Sequence, residues 1–433
     1  MARKYVLVGA GSASFTRGLV ADVLRTGKEL ELGLVDVSAE ALEVAEGLVR
    51  KMVAAAGAPV RVSASTDRRE ILPGATAVIC TVGVGGRRAW EKDVFIPRKY
   101  GVFQPVGDTA MPGGLSRALR MIPAMVAIAT DVLALCPEAW LFNYSNPMTA
   151  VCRAIRKATG AEVVGLCHGV IEVARYLARF IGAPLDELDY TAAGINHLTW
   201  FIELRHRGED AWPRARAELA RRRAGEGTDN PFSWSLFDLY GAFPAVLDRH
   251  VSEFFPQLFR EGSYYGKTLG VDAFSFEQCV ERGDRGYATM RELALSPDPL
   301  PADYFAHLGG EHEQVIDILD SVETDAGRPY SANLPNRGQI PNLPPDAVVE
   351  CPAVADGDGV HAIDVGALPS GIAATLLSRL AAVETIVDAA LTGSRELFIQ
   401  ALVADGSCPS LDVARTLADD LLAAHAEHLP QFA

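Results

Sequence analysis

The stretch Lys4-Tyr-Val-Leu-Val-Gly-Ala-Gly-Ser-Ala-Ser-Phe15 decides the fold of this chain. A short apolar run rich in β-formers enters a glycine turn, and the apolar positions of residues 17–24 predict a helix after it. Gly9 permits a tight turn, and Gly11 lets a pyrophosphate approach backbone N–H groups at the positive helix end. This order predicts a dinucleotide site, although Ser14 replaces the third glycine and such a turn is also found as an ordinary loop.

The end of the second predicted strand, Leu30–Val35, supports the same prediction. Asp36 follows it, 25 positions after Gly11. A carboxylate at this place accepts hydrogen bonds from the adenosine ribose and repels a 2′-phosphate, which favours NAD over NADP. We expect the cofactor to contact Gly9, Gly11, Ser12, Phe15, Asp36 and Thr81.

The β/α alternation continues beyond this unit. The apolar pattern predicts helices over 39–56 and 115–135, and strands over 60–64, 75–82, 139–144 and 162–166. The strands are apolar throughout, as in a parallel sheet covered on both faces. We therefore predict an α/β fold, with a Rossmann-type doubly wound parallel sheet in residues 1–190 and a second, mostly helical α+β lobe in residues 191–433. This arrangement is similar to that of lactate and malate dehydrogenases.

The second lobe begins where the alternation stops, near residue 190. Pro- and Arg-rich connections such as Trp212-Pro-Arg-Ala-Arg216 follow, and a strand is predicted over 347–351. Amphipathic helices that cover this lobe are predicted over 373–391, 394–404 and 413–429. Gly309-Gly-Glu-His-Glu-Gln314 predicts the start of a further helix, either a solvated face or part of the cleft.

Composition excludes several classes of protein. A length of 433 residues suits two lobes, and 49% apolar with 22% charged residues is typical of a soluble enzyme. We expect no membrane segment, no signal peptide and a cytoplasmic location. A net charge of −15 argues against nucleic-acid binding. Seven cysteines without CxxC spacing favour reduced thiols.

Polar residues follow the predicted strands where ligands bind in parallel sheets. Gly165-Leu-Cys-His-Gly169 brings Cys167 and His168 to one strand end, and His197 follows in Gly194-Ile-Asn-His. These side chains could hold a metal, although a buried cysteine is often only a small hydrophobe. Asn143 and Asn146 could bind substrate hydroxyls, or Asn146 could simply cap a helix whose first residue is Pro147.

Loops at the same edge carry further candidates. Arg87 and Arg88 could clamp an anionic group, or they could form a solvated face. Asp108, between Gly107 and a Pro-Gly-Gly turn, is either a turn residue or an acid catalyst. A charged run with Asp248, Arg249, His250 and Glu253 could be catalytic or a salt-bridged helix face.

The ordered set of motifs resembles glycoside hydrolase family 4, the NAD- and manganese-dependent glycosidases. The set comprises the glycine turn, Gly107-Asp-Thr, Asn146-Pro, Gly165-Leu-Cys-His-Gly169 and Gly194-Ile-Asn-His, and the resemblance extends to Asn333-Leu-Pro-Asn-Arg-Gly338. The resemblance implies that bound NAD⁺ takes a hydride from sugar C3 and that a base removes the C2 proton. The aglycone then leaves with help from an acid, water adds, and the hydride returns. This family is an exception to the two-carboxylate scheme of glycosidases.

The resemblance also implies roles for individual residues. Cys167 and His197 correspond to the Mn²⁺ ligands, Asn146 and His168 to substrate contacts, and Asp108 to the acid. The C2 base corresponds to Asp248, which we favour, with Tyr264 or Tyr265 as its rivals. A homodimer or homotetramer is expected from the family.

The resemblance narrows the substrate to a small carbohydrate without phosphate. Members that act on 6-phosphosugars have Cys-Asn where this chain has Cys167-His168. The region from Glu253 to Phe276 is similar to the α-galacturonidase branch, whose C6 carboxylate needs a cation from Lys267, Arg87 or Arg249. The alternatives are an α-glucosidase, an α-galactosidase or a 2-hydroxy-acid NAD dehydrogenase.

Overall fold

A computed structural model describes residues 3–225, 227–308 and 314–433, without the side chain of His307. The predicted helix start at residue 309 therefore lies outside the described residues. The strands are β1 Arg3–Val8, β2 Leu30–Val35, β3 Val60–Ser65, β4 Ala77–Cys80, β5 Trp140–Asn143, β6 Val164–Gly165, β7 Leu188–Ile195, β8 Leu198–His206, β9 Glu209–Asp210, β10 Phe243–Ala245, β11 Ser263–Tyr264, β12 Lys267–Thr268, β13 Arg328–Pro335, β14 Val348–Asp356 and β15 Gly359–Ala362.

The helices occupy most of the intervening segments. They are α1 Thr16–Arg25, α2 Ala39–Ala56, α3 Arg68–Ile71, α4 Gly86–Arg98, α5 Met111–Leu135, α6 Met148–Thr159, α7 Gly169–Ile181, α8 Trp212–Arg223, α9 Pro231–Tyr240, α10 Asp248–Val251, α11 Phe276–Leu295, α12 Tyr304–Leu308, α13 Gln314–Thr324, α14 Ser370–Thr392, α15 Arg395–Asp405 and α16 Leu411–Ala424.

Six parallel strands form the predicted Rossmann-type sheet in the order β3-β2-β1-β4-β5-β6. The registers Val8↔Val35 and Val8↔Cys80 bring the carboxyl ends of three strands level. Side chains alternate between the two faces, with Val6 in one core and Leu7 in the other. The α/β fold class is therefore confirmed, and its carboxyl edge places the glycine turn beside the candidate site residues.

The sheet continues through antiparallel strands, of which the sequence pattern predicted only the start of β14, over 347–351. From β6 it runs on as β13, β14, β7, β8 and β10, all antiparallel to their neighbours. The end of β7 reads Thr-Ala-Ala-Gly-Ile, and small residues have low strand propensity, so the pattern there is weak. The division at residue 190 stays a prediction.

The sequence predicted that the C-terminal helices cover the second lobe, but in the structure they also pack on the first half of the chain. Apolar residues of α14, α15 and α16 share one buried cluster with α5 and α6 of the first half, while α1, α2, α11 and α13 cover the opposite face. Helices α5 and α14 are long and apolar enough to cross a membrane, contrary to the expectation that no segment qualifies. Their place in this core accounts for that composition.

Helix α4 was not predicted, because Gly85 and Gly86 open it and its buried face contains a charge. That charge, Asp93, is completely buried and pairs with Arg120 of α5 at 2.9 and 2.5 Å. Nε2 of His425, also buried, lies 2.9 Å from the same carboxylate. This cluster ties the end of the chain to the helices beneath the site.

Candidate active site

The glycine turn joins the ends of three strands. Gly9 has a φ of 91°, and a Cβ there would lie 2.7 Å from the carbonyl oxygen of Thr81, so only glycine fits. The N–H of Gly11 donates to Oδ2 of Asp36 at 2.9 Å, and the N–H of Ser38 donates to Oδ1 at 3.0 Å. The carboxylate of Asp36 therefore lies beside the turn, where a ribose hydroxyl could reach it.

The other predicted cofactor residues lie in the same place. The hydroxyl of Thr81 donates to the Gly9 carbonyl at 3.0 Å, and the Ser12 hydroxyl accepts the N–H of Phe15 at 3.3 Å. The Phe15 ring packs 5.4 Å from the ring of Tyr144. A glycine cradle before a helix start, with an acidic residue at the next strand end, fits a dinucleotide.

A polar cluster lies at the same sheet edge, around Asp108. Nδ2 of Asn146 donates to Asp108 Oδ2 at 3.1 Å, and the hydroxyl of Thr109 donates to Oδ1 at 2.8 Å. The Thr109 hydroxyl also lies 3.0 Å from Nδ1 of His197. Asn146 does not cap the following helix, because Pro147 holds that position and no side chain caps it. Its amide orients the carboxylate of Asp108.

His197 occupies the tip of the β7–β8 hairpin with a φ of 64°, a left-handed conformation that is uncommon for a side chain of this size. The ring of His250, from α10, lies 4.5 Å from it. The ligand atoms of Asp108, His197 and His250 all lie within 4.8 Å of one another. Three distant segments thus bring oxygen and nitrogen donors to one point.

Electrostatics favour an ionised carboxylate and neutral imidazoles here. Burial alone would raise the pKa of Asp108, but the positive charges that His197 and His250 carry when protonated, and that of Arg117, outweigh it and lower the pKa. Burial lowers the pKa of His197, and burial with His197 nearby lowers the pKa of His250 to about 3. These are the protonation states in which such side chains bind metals.

The donor set fits a divalent cation. Nδ1 of His250 is buried and has no hydrogen-bond partner within the described part of the chain, and mixed carboxylate and imidazole donors suit Mn²⁺ better than thiolate does. The predicted ligand Cys167 is not a member of this cluster of described residues. Its sulfur accepts the N–H of Gly169 at 3.4 Å, and burial and then Glu350 raise the pKa of its thiol to about 12. The metal role of Cys167 stays a prediction.

Two of the predicted substrate contacts, Asn143 and His168, lie in different surroundings. Asn143 is fully buried, and its amide is bonded to the backbone of Ser145 at 2.9 and 3.0 Å, so the structure argues against contact with a sugar. His168 lies immediately before α7, with its ring 6.3 Å from that of Tyr144, which also packs on Phe15 beside the glycine turn. Asn146 and His168 stay predictions as substrate contacts.

The predicted anion clamp is already paired. Nε of Arg87 donates to Asp284 at 2.6 Å, and Arg88 reaches the same carboxylate at 2.5 Å. Arg87 also lies over the ring of Tyr287 at 5.6 Å. Both charges are therefore bound to α11, and the interpretation of this pair as a salt-bridged surface accounts for the geometry.

The predicted C2 base, Asp248, is an anchor in this structure. It is fully buried and accepts hydrogen bonds from the N–H groups of Phe232 and Ser233, from the Ser233 hydroxyl and from Tyr264. The hydroxyl of Tyr264 is thereby occupied too. Tyr265 is 58% exposed on the β11–β12 turn, with its hydroxyl 3.4 Å from that of Ser235.

Sequence reasoning missed several residues of the site. Arg117 donates from Nε to the carbonyl of Asn146 at 3.0 Å, and Thr109 bridges Asp108 and His197. Glu350, 1% exposed, accepts the Thr199 hydroxyl at 2.5 Å. Glu350, inside the apolar run 347–351, was a usable signal, and Thr109 belonged to the Gly107-Asp-Thr motif although no role was given to it. Arg117 gave no signal.

Comparison with known proteins agrees with this geometry. The model of the family 4 glycosyl hydrolases matches residues 4–183, and that of the family's C-terminal domain matches residues 192–407. An α-glucosidase of Erwinia rhapontici is 33% identical over 94% of each chain. An α-galactosidase of Rhizobium meliloti (strain 1021) is 31% identical over 99% of this chain and 90% of its own. An α-galacturonidase of Bacillus subtilis (strain 168) is 28% identical over 96% and 95%.

Solved structures show the same fold. A 6-phospho-α-glucosidase from gut microorganisms, solved with NAD and Mn²⁺, is 20% identical with a TM-score of 0.83 over the whole of both chains. A malate dehydrogenase of Plasmodium falciparum, 12% identical, has a TM-score of 0.50 over 92% of this chain and 99% of its own. With two family models that together span nearly the whole sequence, the chain belongs to the family 4 glycosyl hydrolases.

Proposed function

We propose that this protein hydrolyses α-glycosides of an unphosphorylated sugar, α-galacturonides above all, with NAD⁺ and Mn²⁺ bound. The route is oxidation at C3, removal of the C2 proton, elimination of the aglycone and addition of water. The resemblance of the ordered motifs supports the route, and the juxtaposition of the glycine turn with the Asp108 cluster supports the cofactors.

When bound, NAD⁺ supplies a hydride acceptor that later returns the hydride, and Mn²⁺ supplies a Lewis acid for the sugar oxygens. Gly9, Gly11, Ser12, Phe15, Asp36 and Thr81 would hold the dinucleotide. His197 would hold the metal, because it belongs both to the predicted pair with Cys167 and to the cluster with His250. Cys167 and His250 are then rivals for the next ligand position.

Proton transfer falls to residues of this chain. Asp108, oriented by Asn146 and Thr109, is proposed to protonate the leaving oxygen. That role needs its protonated form, which burial favours and the neighbouring His and Arg side chains oppose. For the C2 proton we propose Tyr265, because the hydroxyl of Tyr264 and the carboxylate of Asp248 are bonded to each other at 2.6 Å.

The choice of sugar rests on the guanidinium of Arg249, the residue before His250, which has only a weak hydrogen-bond partner in the described part of the protein. Among the residues that the structure describes, Arg249 makes one hydrogen bond, from Nη2 to the sulfur of Cys279 at 3.0 Å, and its buried Nε has no acceptor. Among the described residues no carboxylate pairs with it. A half-buried guanidinium with so weak a partner suits a bidentate carboxylate from the substrate. The rival Arg87 is paired, and Lys267 is exposed on the β12 turn.

A second candidate is hydrolysis of α-glucosides or α-galactosides. It is supported by identities of 33% and 31% to an α-glucosidase and an α-galactosidase, against 28% to an α-galacturonidase. Neither sugar has a carboxylate, so Arg249 would then have no ionic partner in the substrate. The two candidates therefore differ in what they predict for variants of Arg249.

The test is a comparison of kcat/KM for nitrophenyl α-galacturonide, α-glucoside and α-galactoside with NAD⁺, Mn²⁺ and reductant. We expect the galacturonide to be preferred. Arg249→Met should lower its kcat/KM by about 100-fold, at the lower end of the loss when one partner of a buried charge pair is removed, and should change the neutral glycosides by less than about threefold. Arg88→Met, at an exposed arginine, is the matched control. Preference for a neutral glycoside would overturn the choice of sugar.

A further inference from the structure

Glu253 joins the second half of the chain to the loop that carries Asp108. It lies in the short 3-10 turn Ser252–Phe254, just after α10, and is 2% exposed. Its Oε1 accepts the backbone N–H groups of Val106 and Gly107, each at 2.8 Å. A single carboxylate oxygen thus holds the two peptide groups that immediately precede Asp108.

The loop depends on such an acceptor. Gly107 has a φ of 61°, and a Cβ there would lie 2.8 Å from the Val94 side chain, so this backbone is in a form that only glycine adopts easily. Gln104 braces the other side, with its amide bonded to the backbone of Asp93 and Gly113. Without Glu253, two buried N–H groups would have no acceptor, which is costly enough to move the loop.

We propose that Glu253 is a positioning residue, whose carboxylate oxygen clamps the Val106–Gly107 backbone and so fixes Asp108 against Asn146, Thr109 and His197. The inference rests on the proposed function only in giving Asp108 a role in the reaction. Burial and the nearby Asp108 raise the pKa of Glu253 to about 8, so its carboxyl is mostly protonated at neutral pH, and both the acid and the carboxylate keep an oxygen that accepts the two N–H groups.

Variants of Glu253 distinguish a role as hydrogen-bond acceptor from a role that needs its negative charge. A glutamine at this position keeps an oxygen that can accept both N–H groups and cannot ionise, whereas an alanine removes the acceptor. Asp131→Ala is the matched control, because Asp131 is also a buried carboxylate and pairs with Arg68 and Arg69 at the far end of α5. It should lower stability without moving the loop.

The experiment measures amide exchange of Val106 and Gly107, Mn²⁺ affinity by electron paramagnetic resonance, and kcat and KM on the best α-glycoside. In Glu253→Ala we expect exchange at least about 100-fold faster, Mn²⁺ bound about tenfold more weakly and kcat down about 100-fold, with KM changed less than about threefold. Glu253→Gln should restore all of these to within about fivefold of wild type.

Two results would overturn the clamp: unchanged amide exchange in Glu253→Ala, or a Glu253→Gln variant as impaired as Glu253→Ala. If the wild-type protein releases no sugar from any α-glycoside, the proposed function fails. Amide exchange and Mn²⁺ affinity still decide the role of Glu253 in that case, so the two failures are distinguishable.

Discussion

The substitution Asp248→Asn separates an anchor from a proton acceptor. Oδ1 of Asp248 accepts the N–H and the hydroxyl of Ser233 at 2.7 and 2.6 Å, and Oδ2 accepts the N–H of Phe232 and the hydroxyl of Tyr264 at 2.8 and 2.6 Å. The side chain is completely buried. All four donors come from within the protein, so the carboxylate holds the start of α9 and the β11 strand together.

The expected loss of stability follows from these contacts. Asparagine must place its NH₂ group at one of the two oxygen positions, where it meets one backbone N–H and one hydroxyl. The hydroxyl can turn to accept, but the N–H cannot, and a buried N–H without an acceptor costs about 1–3 kcal/mol. The other N–H exchanges a charged acceptor for a neutral one, which costs about 1 kcal/mol more. We expect the free energy of unfolding to fall by about 2–4 kcal/mol.

Urea denaturation of the protein without cofactors measures this loss, with Asp364→Asn, at an exposed position, as the control. Tyr264→Phe removes one of the four hydrogen bonds and should cost about 0.5–1.5 kcal/mol, or up to about 3 kcal/mol because the acceptor is charged. If Asp248→Asn unfolds within about 0.5 kcal/mol of wild type and still loses more than about 100-fold in kcat, Asp248 is the base and the anchor interpretation is refuted.

Three further changes test other parts of the structure. Gly9→Ala should lower the free energy of unfolding by about 2–4 kcal/mol in urea denaturation, because its φ is strained and its Cβ would contact the neighbouring strand end. The control Gly57→Ala, at a φ of 59° with no described atom within contact distance, should cost only about 1–2 kcal/mol. Equal losses in the two variants would contradict the close approach at Gly9. Burial raises the pKa of Glu350 to about 7 from 4.5, so the stability that its protonated form contributes below pH 4.5 is lost as the pH rises towards 7. The fall in the free energy of unfolding between pH 5 and pH 8 should therefore be smaller in Glu350→Gln than in the wild type. His250→Gln should weaken Mn²⁺ binding by about tenfold or more if the cluster is the metal site, and an effect confined to Cys167→Ser would instead favour the predicted thiolate ligand.

Features that depend on neighbouring residues were readable from the sequence. The glycine turn, its apolar strand and Asp36 lie within one short unit, and the structure brings Asp36 beside Gly11, with a hydrogen bond that the sequence did not predict. The parallel strands were predicted because buried strands are continuous apolar runs. Strand β7 was missed because it ends in small residues that suit several structures equally well.

The roles of residues whose partners are distant in sequence could not be predicted from the sequence. In the sequence, the residues from Asp248 to Glu253 form one polar, charged run in which no member stands out. In the structure, Asp248 anchors α9, and Glu253 holds a loop 146 residues away. The ring of His250 lies against that of His197. Arg87 looked free to bind an anion because its partner, Asp284, is distant in sequence. Burial and pairing decide between these roles, and both are properties of the folded chain.

The most direct test of the proposed mechanism is turnover in D₂O with NAD⁺ and Mn²⁺, followed by mass spectrometry of the released sugar and by absorbance of NADH. Removal and return of the C2 proton predict one deuterium at C2 for each bond cleaved, with no net NADH. A product without deuterium at C2, or NADH that accumulates in step with product, would contradict the proposed route.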